Sequence, residues 1–140
     1  MKKLTKIFAL LLALTMVFTL TACGGSDTDN GGTQTNDNPY NLDYTSADLQ
    51  PMSSERASKE ALLEAEEYYI SGLSSASEEV TKQTYADVAA HIGVDASEFQ
   101  YFESYGQYRY TWYLEGNEGA SLLAVFYTDG SLFSVTSSIS

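Results

Sequence analysis

Apolar positions along this chain change their spacing twice. From Ile7 to Leu20 they run on with only Thr15 and Thr19 between them. From Leu62 to Ile92 they recur every three or four residues, and after Gly93 they alternate with polar ones. The middle stretch predicts two helices. Leu62, Ala65, Tyr69 and Leu73 fall on one face of the first, with Leu63 and Ile70 widening it. That helix is expected to start after Pro51, with Ser53 or Ser54 as N-cap and Glu55 in its first turn, and to end at Gly72. A polar stretch, Ser74 to Gln83, leads to the second. Thr84-Tyr85-Ala86-Asp87 has the form of a capping box; Tyr85, Val88, Ala89 and Ile92 make the buried stripe, and Gly93 supplies a left-handed stop.

The alternating part predicts four strands: Phe99 to Glu103, Gln107 to Glu115, Ala120 to Thr128 and Leu132 to Ser138. Tyr105-Gly106, Gly116 to Gly119 and Asp129-Gly130 separate them, and Asp-Gly between alternating runs is a strong hairpin signal. Two helices followed by a run of antiparallel strands imply an α+β fold, with both helices packed on one face of a four-stranded meander.

A two-residue Asp129-Gly130 loop would set Tyr127 opposite Leu132 and Phe126 opposite Phe133. An even loop around Asn117-Glu118 would set Trp112 opposite Leu123. One face then holds Tyr108, Tyr110, Trp112, Leu114, Leu123, Val125, Tyr127 and Leu132. It carries no charge and is assigned to the helices. The other holds Arg109, Thr111, Tyr113, Leu122, Ala124, Phe126, Phe133 and Val135. An odd loop would exchange the faces of one strand pair relative to the other, because a slip of one residue turns every side chain over. On this reading Arg109, Tyr113, Phe126 and Phe133 form an open aromatic patch of the kind that marks interaction sites. Two outcomes are open for it: a protein partner binds there, or the segment Tyr44 to Met52 or a second copy covers it. Glycan stacking is a third option, but the clustered polar groups it needs are not visible.

The uninterrupted apolar run gives the chain its address. It is 14 residues long, follows Lys2, Lys3 and Lys6, and ends in small residues, which is the layout of a secretory signal. It is short of the roughly 20 residues of a spanning helix. Leu20-Thr21-Ala22-Cys23 resembles the lipobox of bacterial lipoproteins. That likeness implies removal of residues 1–22 and lipidation of Cys23, the sole cysteine, on the extracytoplasmic face of a cell membrane. Several acyl chains make a stable anchor where one is marginal. Gly24, not Asp, follows Cys23, so the familiar inner-membrane retention signal of two-membrane bacteria is absent.

Residues 23–43 then read as the lipidated cysteine and a flexible polar linker, and 44–140 as a single domain. A coil of about 20 residues would reach roughly 25 Å on average. Asp27 to Gly32 has a superficial likeness to a calcium loop, but Gly31 and Asn38 stand where Asp or Asn and Glu are needed.

Charge narrows the function classes. With Lys2, Lys3 and Lys6 removed, 4 basic groups face 19 acidic ones, a net of −15. That excludes nucleic acid as a partner, since its binding rests on Lys and Arg at phosphates. No cofactor motif, metal-ligating set or catalytic triad is present. Glu66 within the apolar stripe and the single histidine, His91, read as boundary residues rather than as catalysts. Paired acids for hydrolysis need opposed positions in a cleft, and a small meander with two helices offers little of one.

Thr84-Tyr85-Ala86-Asp87-Val88, Ile92-Gly93, Tyr110-Thr111-Trp112 and Val125 to Leu132 together resemble one repeat of the β-lactamase inhibitor protein fold. The related SmpA/OmlA lipoproteins share its helix-helix-sheet plan. The likeness covers about residues 55–138. It departs at Lys82-Gln83-Thr84, where that family has Gly-Met-Thr. The resemblance implies a non-catalytic, extracytoplasmic protein-binding module. It does not name the partner, and the inhibitor itself is built from two such repeats where this chain has one.

Overall fold

The computed structural model describes residues 39–140. The signal segment, Cys23, the calcium-like loop and most of the linker lie outside them. The described part is α+β: β1 (Gln50–Pro51), α1 (Lys59–Ser74), α2 (Glu78–Thr81), α3 (Tyr85–Ile92), β2 (Glu98–Phe102), a 3₁₀ turn (Glu103–Tyr105), β3 (Gln107–Leu114), β4 (Asn117–Tyr127) and β5 (Leu132–Ser137). The strands form one antiparallel sheet in sequence order, and the buried residues of all three helices join one cluster with one face of it. No helix among the described residues is long and apolar enough to cross a membrane.

The helix-helix-meander order is as expected, with β1 and α2 added. Two strand residues, one of them proline, leave no alternation to read; β1 exists because Gln50 and Pro51 pair with Phe99 and Glu98. α2 is a single turn that begins in the run Ser77-Glu78-Glu79, the sort of start that suits a helix dipole.

α1 starts later than its sequence suggests. Ser53 accepts from the Glu55 N–H in a local turn, and the chain stays non-helical as far as Ser58. There it is held to the sheet: the Ala57 N–H donates to the Tyr113 carbonyl at 3.0 Å and its carbonyl accepts from Glu115 at 2.9 Å. Ser58 is therefore the N-cap, its hydroxyl accepting from the Ala61 N–H. Leu62, Ala65 and Tyr69 are buried as the spacing required.

Gly72 does not end α1, which runs on to Ser74. Its role is close approach: a Cβ at that position would overlap the Val80 side chain from α2. The residue that turns left-handed after the helix is Ala76, at φ 51°. A side chain in that region costs about 1–2 kcal/mol. Ala76→Gly is therefore expected to stabilise the domain by about 1 kcal/mol, a rise in Tm of about 4–8 °C by scanning calorimetry.

α3 follows its signals. The Asp87 carboxylate accepts from both the backbone N–H and the hydroxyl of Thr84, at 2.8 and 2.9 Å, and Gly93 closes the helix at φ 90°. Tyr85 on α3 stacks on Tyr110 with 4.2 Å between centroids, and next to it lies the fully buried Trp112. The Trp112 indole N–H donates to the Val94 carbonyl at 2.9 Å, so its one polar atom is satisfied in the core.

The register differs from the expected one, and two turns account for it. Between β3 and β4 the link is the short Glu115-Gly116 turn, with Leu114 paired to Asn117 and a shift before Tyr113 pairs with Ser121. Trp112 thus faces Leu122, not Leu123, and Tyr110 faces Ala124. Between β4 and β5 the loop is three residues, not two. The Tyr127 N–H donates to the Ser131 carbonyl at 2.9 Å, and Gly130 takes φ 87° at the end of the loop. A shift follows, since Phe126 pairs with Leu132 but Val125 with Ser134, which leaves Phe133 as the extra residue of a bulge.

The consequence is specific to β4. Leu122, Ala124 and Phe126 turn to the helices, while Leu123, Val125 and Tyr127 turn away. The bulge then keeps Leu132 in the core and Phe133 outside. Val135, expected outside, is in the core.

Candidate functional site: the open sheet face

Residues paired across antiparallel strands share a face. The face away from the helices therefore holds Glu98, Gln100 and Phe102 of β2, Gln107, Arg109, Thr111 and Tyr113 of β3, Ser121, Leu123, Val125 and Tyr127 of β4, and Ser134 and Thr136 of β5. Phe133 joins them, its ring 4.8 Å from that of Tyr127.

Three of the four residues expected to bind a partner, Arg109, Tyr113 and Phe133, lie on this face. Phe126 does not. It is 2% exposed and meets Tyr110 edge-on in the core, because the short β3–β4 turn sets β4 one residue out of the expected register. Tyr127 takes its place outside, at 42% exposure beside Phe133 at 46%. Phe102, Leu123 and Val125 complete the apolar part. The alternation in β4 marked two faces; only the turn geometry says which is which.

Of the possible covers, the segment Tyr44 to Met52 lies mainly elsewhere. Tyr44 packs on Phe99 and Tyr108 at 5.1 and 5.5 Å between centroids, on the helix side, and Met52 packs against the same core. The segment Tyr44 to Met52 meets the open face along its border, where Pro51 pairs with Glu98 and Gln100 donates to the Ala47 carbonyl at 2.9 Å.

Arg109 sits in the middle strand of the sheet, between Gln100 and Val125. Its guanidinium lies over the Phe102 ring, 3.6 Å from the centroid, and its Nε is buried with no acceptor. The other described cations are all engaged: Arg56 with Glu118 at 3.1 Å, Lys82 with Glu78 at 3.0 Å, and Lys59 with the Ser140 carbonyl at 3.0 Å. Among the described residues, no carboxylate or carbonyl meets Arg109. An oriented guanidinium is a ready fork for a carboxylate or carbonyl brought by another molecule.

At the other end of β3, the Tyr113 hydroxyl donates to Glu98 at 2.6 Å, and Arg56 lies 5.6 Å from the Tyr113 ring. The bond to the Glu98 carboxylate, aided by burial, pushes the Tyr113 hydroxyl up to about 12. A raised phenol favours the fold fully below its ordinary value near 10 and loses that contribution as pH climbs through the folded value. Glu98→Gln is expected to bring the Tyr113 titration down toward the ordinary range, read from its ring carbon shifts by NMR. An unchanged titration would place the cause elsewhere.

Residues 39–140 carry 16 acidic and 4 basic side chains, yet the strands place one of each on the open face, Glu98 and Arg109, with the Arg56–Glu118 pair beside Tyr113 at its end. It is a neutral, partly aromatic island on an acidic domain. Elsewhere, Glu66 is half-buried beside Leu63 and Ile70 along a shallow hollow on α1. His91 is exposed, its ring 5.0 and 5.3 Å from those of Tyr68 and Tyr69. No group of three or more His, Cys, Asp or Glu is placed to hold a metal among the described residues. Comparison of the chain with protein-family models, with curated proteins and with solved structures finds no match.

Proposed function

We propose that this chain is a lipid-anchored extracytoplasmic module, held at the cell membrane through Cys23, that binds a protein partner on its open sheet face and performs no catalysis. The carrying observation is that face itself: Tyr113, Tyr127, Phe133 and Phe102 around an Arg109 with no acceptor, neutral on an otherwise acidic domain. Tyr and Arg are the residue types that dominate binding hot spots. The partner this face suits presents apolar side chains around an acceptor for the Arg109 fork. Likeness to the β-lactamase inhibitor protein fold belongs to the same reading. It is supported by three helices, the last capped at Thr84-Asp87 and Gly93, preceding four meander strands with helices on one side only, although the short β1 adds a fifth strand to the sheet. Inhibition of a β-lactamase is not part of the proposal.

The test is crosslinking in intact cells with the anchored protein, comparing the native chain with Arg109→Ala/Tyr127→Ser/Phe133→Ser. Capture of one protein by the native chain and its loss in the folded variant supports the reading. Equal capture by both, or no specific capture, favours the other reading, a passive envelope or spacer lipoprotein that self-associates.

A further inference from the structure

The two edges of the sheet are built differently. β1 is two residues long and ends in Pro51, which has no N–H to offer. Such an edge is blunted against further pairing. β5 has six residues, and from Gly130 to Ser140 there is no charged side chain and no proline. None of the usual charged guards against edge pairing is present along it.

The ladder shows which backbone groups β5 leaves free. The Ser138 N–H donates to the Ser121 carbonyl at 2.9 Å. In an antiparallel pair, bonded and non-bonded residues alternate. With Thr136 opposite Leu123 and Ser134 opposite Val125, the N–H and C=O groups of Thr136 and Ser134 point to β4. Those of Val135 and Ser137 point outward, and no described residue outside the sheet bonds them. Thr136 is exposed, with its side chain on the open face.

We infer that β5 pairs with β5 of a second copy of this chain, antiparallel, about a two-fold axis at Thr136. That register sets Val135 opposite the copy's Ser137, and Ser137 opposite the copy's Val135. Each such pair exchanges both of its N–H···O bonds, so all four outward-pointing groups of each copy are satisfied. Thr136 faces its own counterpart as the close, non-bonded pair, with Cα atoms about 4.5 Å apart.

Charge selects this occupant. A two-fold interface brings like residues near one another. On a domain with 16 acids and 4 basic groups, an uncharged edge is where that brings no local repulsion. A basic partner strand, by contrast, would find no carboxylate side chain along Gly130 to Ser140 to pair with. The result is one sheet of doubled width, with the helices of both copies on one side and both Tyr127–Phe133 pairs on the other. Two open faces side by side present the partner surface twice, although the pairing itself does not depend on that surface binding anything.

The test uses the full chain in its own membrane. Cys23 is the one native cysteine, so a new thiol at Thr136 reports the axis. The expected Cα separation lies within the disulfide range of about 4.4–6.8 Å. Thr136→Cys is expected to give a disulfide-linked dimer as the main species on a non-reducing gel after mild oxidation. Ser104→Cys, on the exposed 3₁₀ turn, is the collision control and should give about a tenth as much or less. Adding Ser137→Pro removes one outward N–H and leaves the bonds to β4; it should abolish the Thr136→Cys dimer while circular dichroism stays native. Equal dimer from Thr136→Cys and Ser104→Cys overturns the inference. So does persistence of the dimer with Ser137→Pro, or a Thr136→Cys adduct to a different protein in place of the dimer.

Discussion

Phe126→Ala is expected to destabilise the domain by about 3–5 kcal/mol, and Phe133→Ala by no more than about 1 kcal/mol. Both are phenylalanines near the β4–β5 turn, and the simple hairpin register places them opposite each other on one face. The three-residue loop and the bulge separate them. Phe126 is buried against Tyr110, and its truncation leaves a cavity beside Tyr108, Tyr110 and Leu132 that a close-packed core cannot refill. Phe133 stands in the open beside Tyr127 and loses little on truncation. Urea unfolding of the two variants reads the difference directly. Equal losses, or a larger loss for Phe133→Ala, would mean that β4 presents its other face to the helices.

Arg109→Ala/Tyr127→Ser/Phe133→Ser is expected to weaken partner binding at least about 100-fold, equivalent to about 2.7 kcal/mol, with little change in unfolding. Single truncations at binding hot spots cost about 2 kcal/mol or more, and such values do not add. Tyr127 and Phe133 are already exposed, so their removal costs the fold little. Arg109 differs, because its guanidinium covers Phe102. Arg109→Lys separates its two roles. An ammonium group keeps the charge and the covering stem but loses the planar fork. If Arg109→Lys lowers affinity about 10-fold without a shift in Tm, the fork contacts the partner; a fall in stability without loss of affinity makes Arg109 a cover for Phe102.

The elements that local chemistry determines were legible in the sequence. Asp87 three residues after Thr84, and Gly93 after Ile92, are enough for α3, and both act as caps through short-range bonds. Alternation located four strands within a few residues. What was not legible depends on distant partners or on loop geometry. The start of α1 waits for Ser58 because Ala57 is tied to Tyr113 and Glu115, more than fifty residues on. β1 is a strand only by virtue of β2. The faces of β4 depend on how many residues the Glu115-Gly116 and Thr128-to-Gly130 turns absorb, and one residue exchanges them. That is why Arg109 and Tyr113 can be placed on the open face from their own strand, while Phe126 and Tyr127 exchange faces and Phe133 lies outside only through the bulge. Phe102 was missed for a related reason: its strand was visible, but nothing local pairs Gln100 with Arg109 and so turns Phe102 to the open side.

The most direct measurement of the central claim is site-specific photocrosslinking in intact cells, with a photoreactive residue at Thr111, at the centre of the open face, and in parallel at Glu64, on the exposed side of α1. The account predicts a single protein adduct from position 111, none from position 64, and loss of the adduct when Arg109→Ala/Tyr127→Ser/Phe133→Ser is added. An adduct of the same protein from both positions, or none from 111 while 64 reacts, would contradict it.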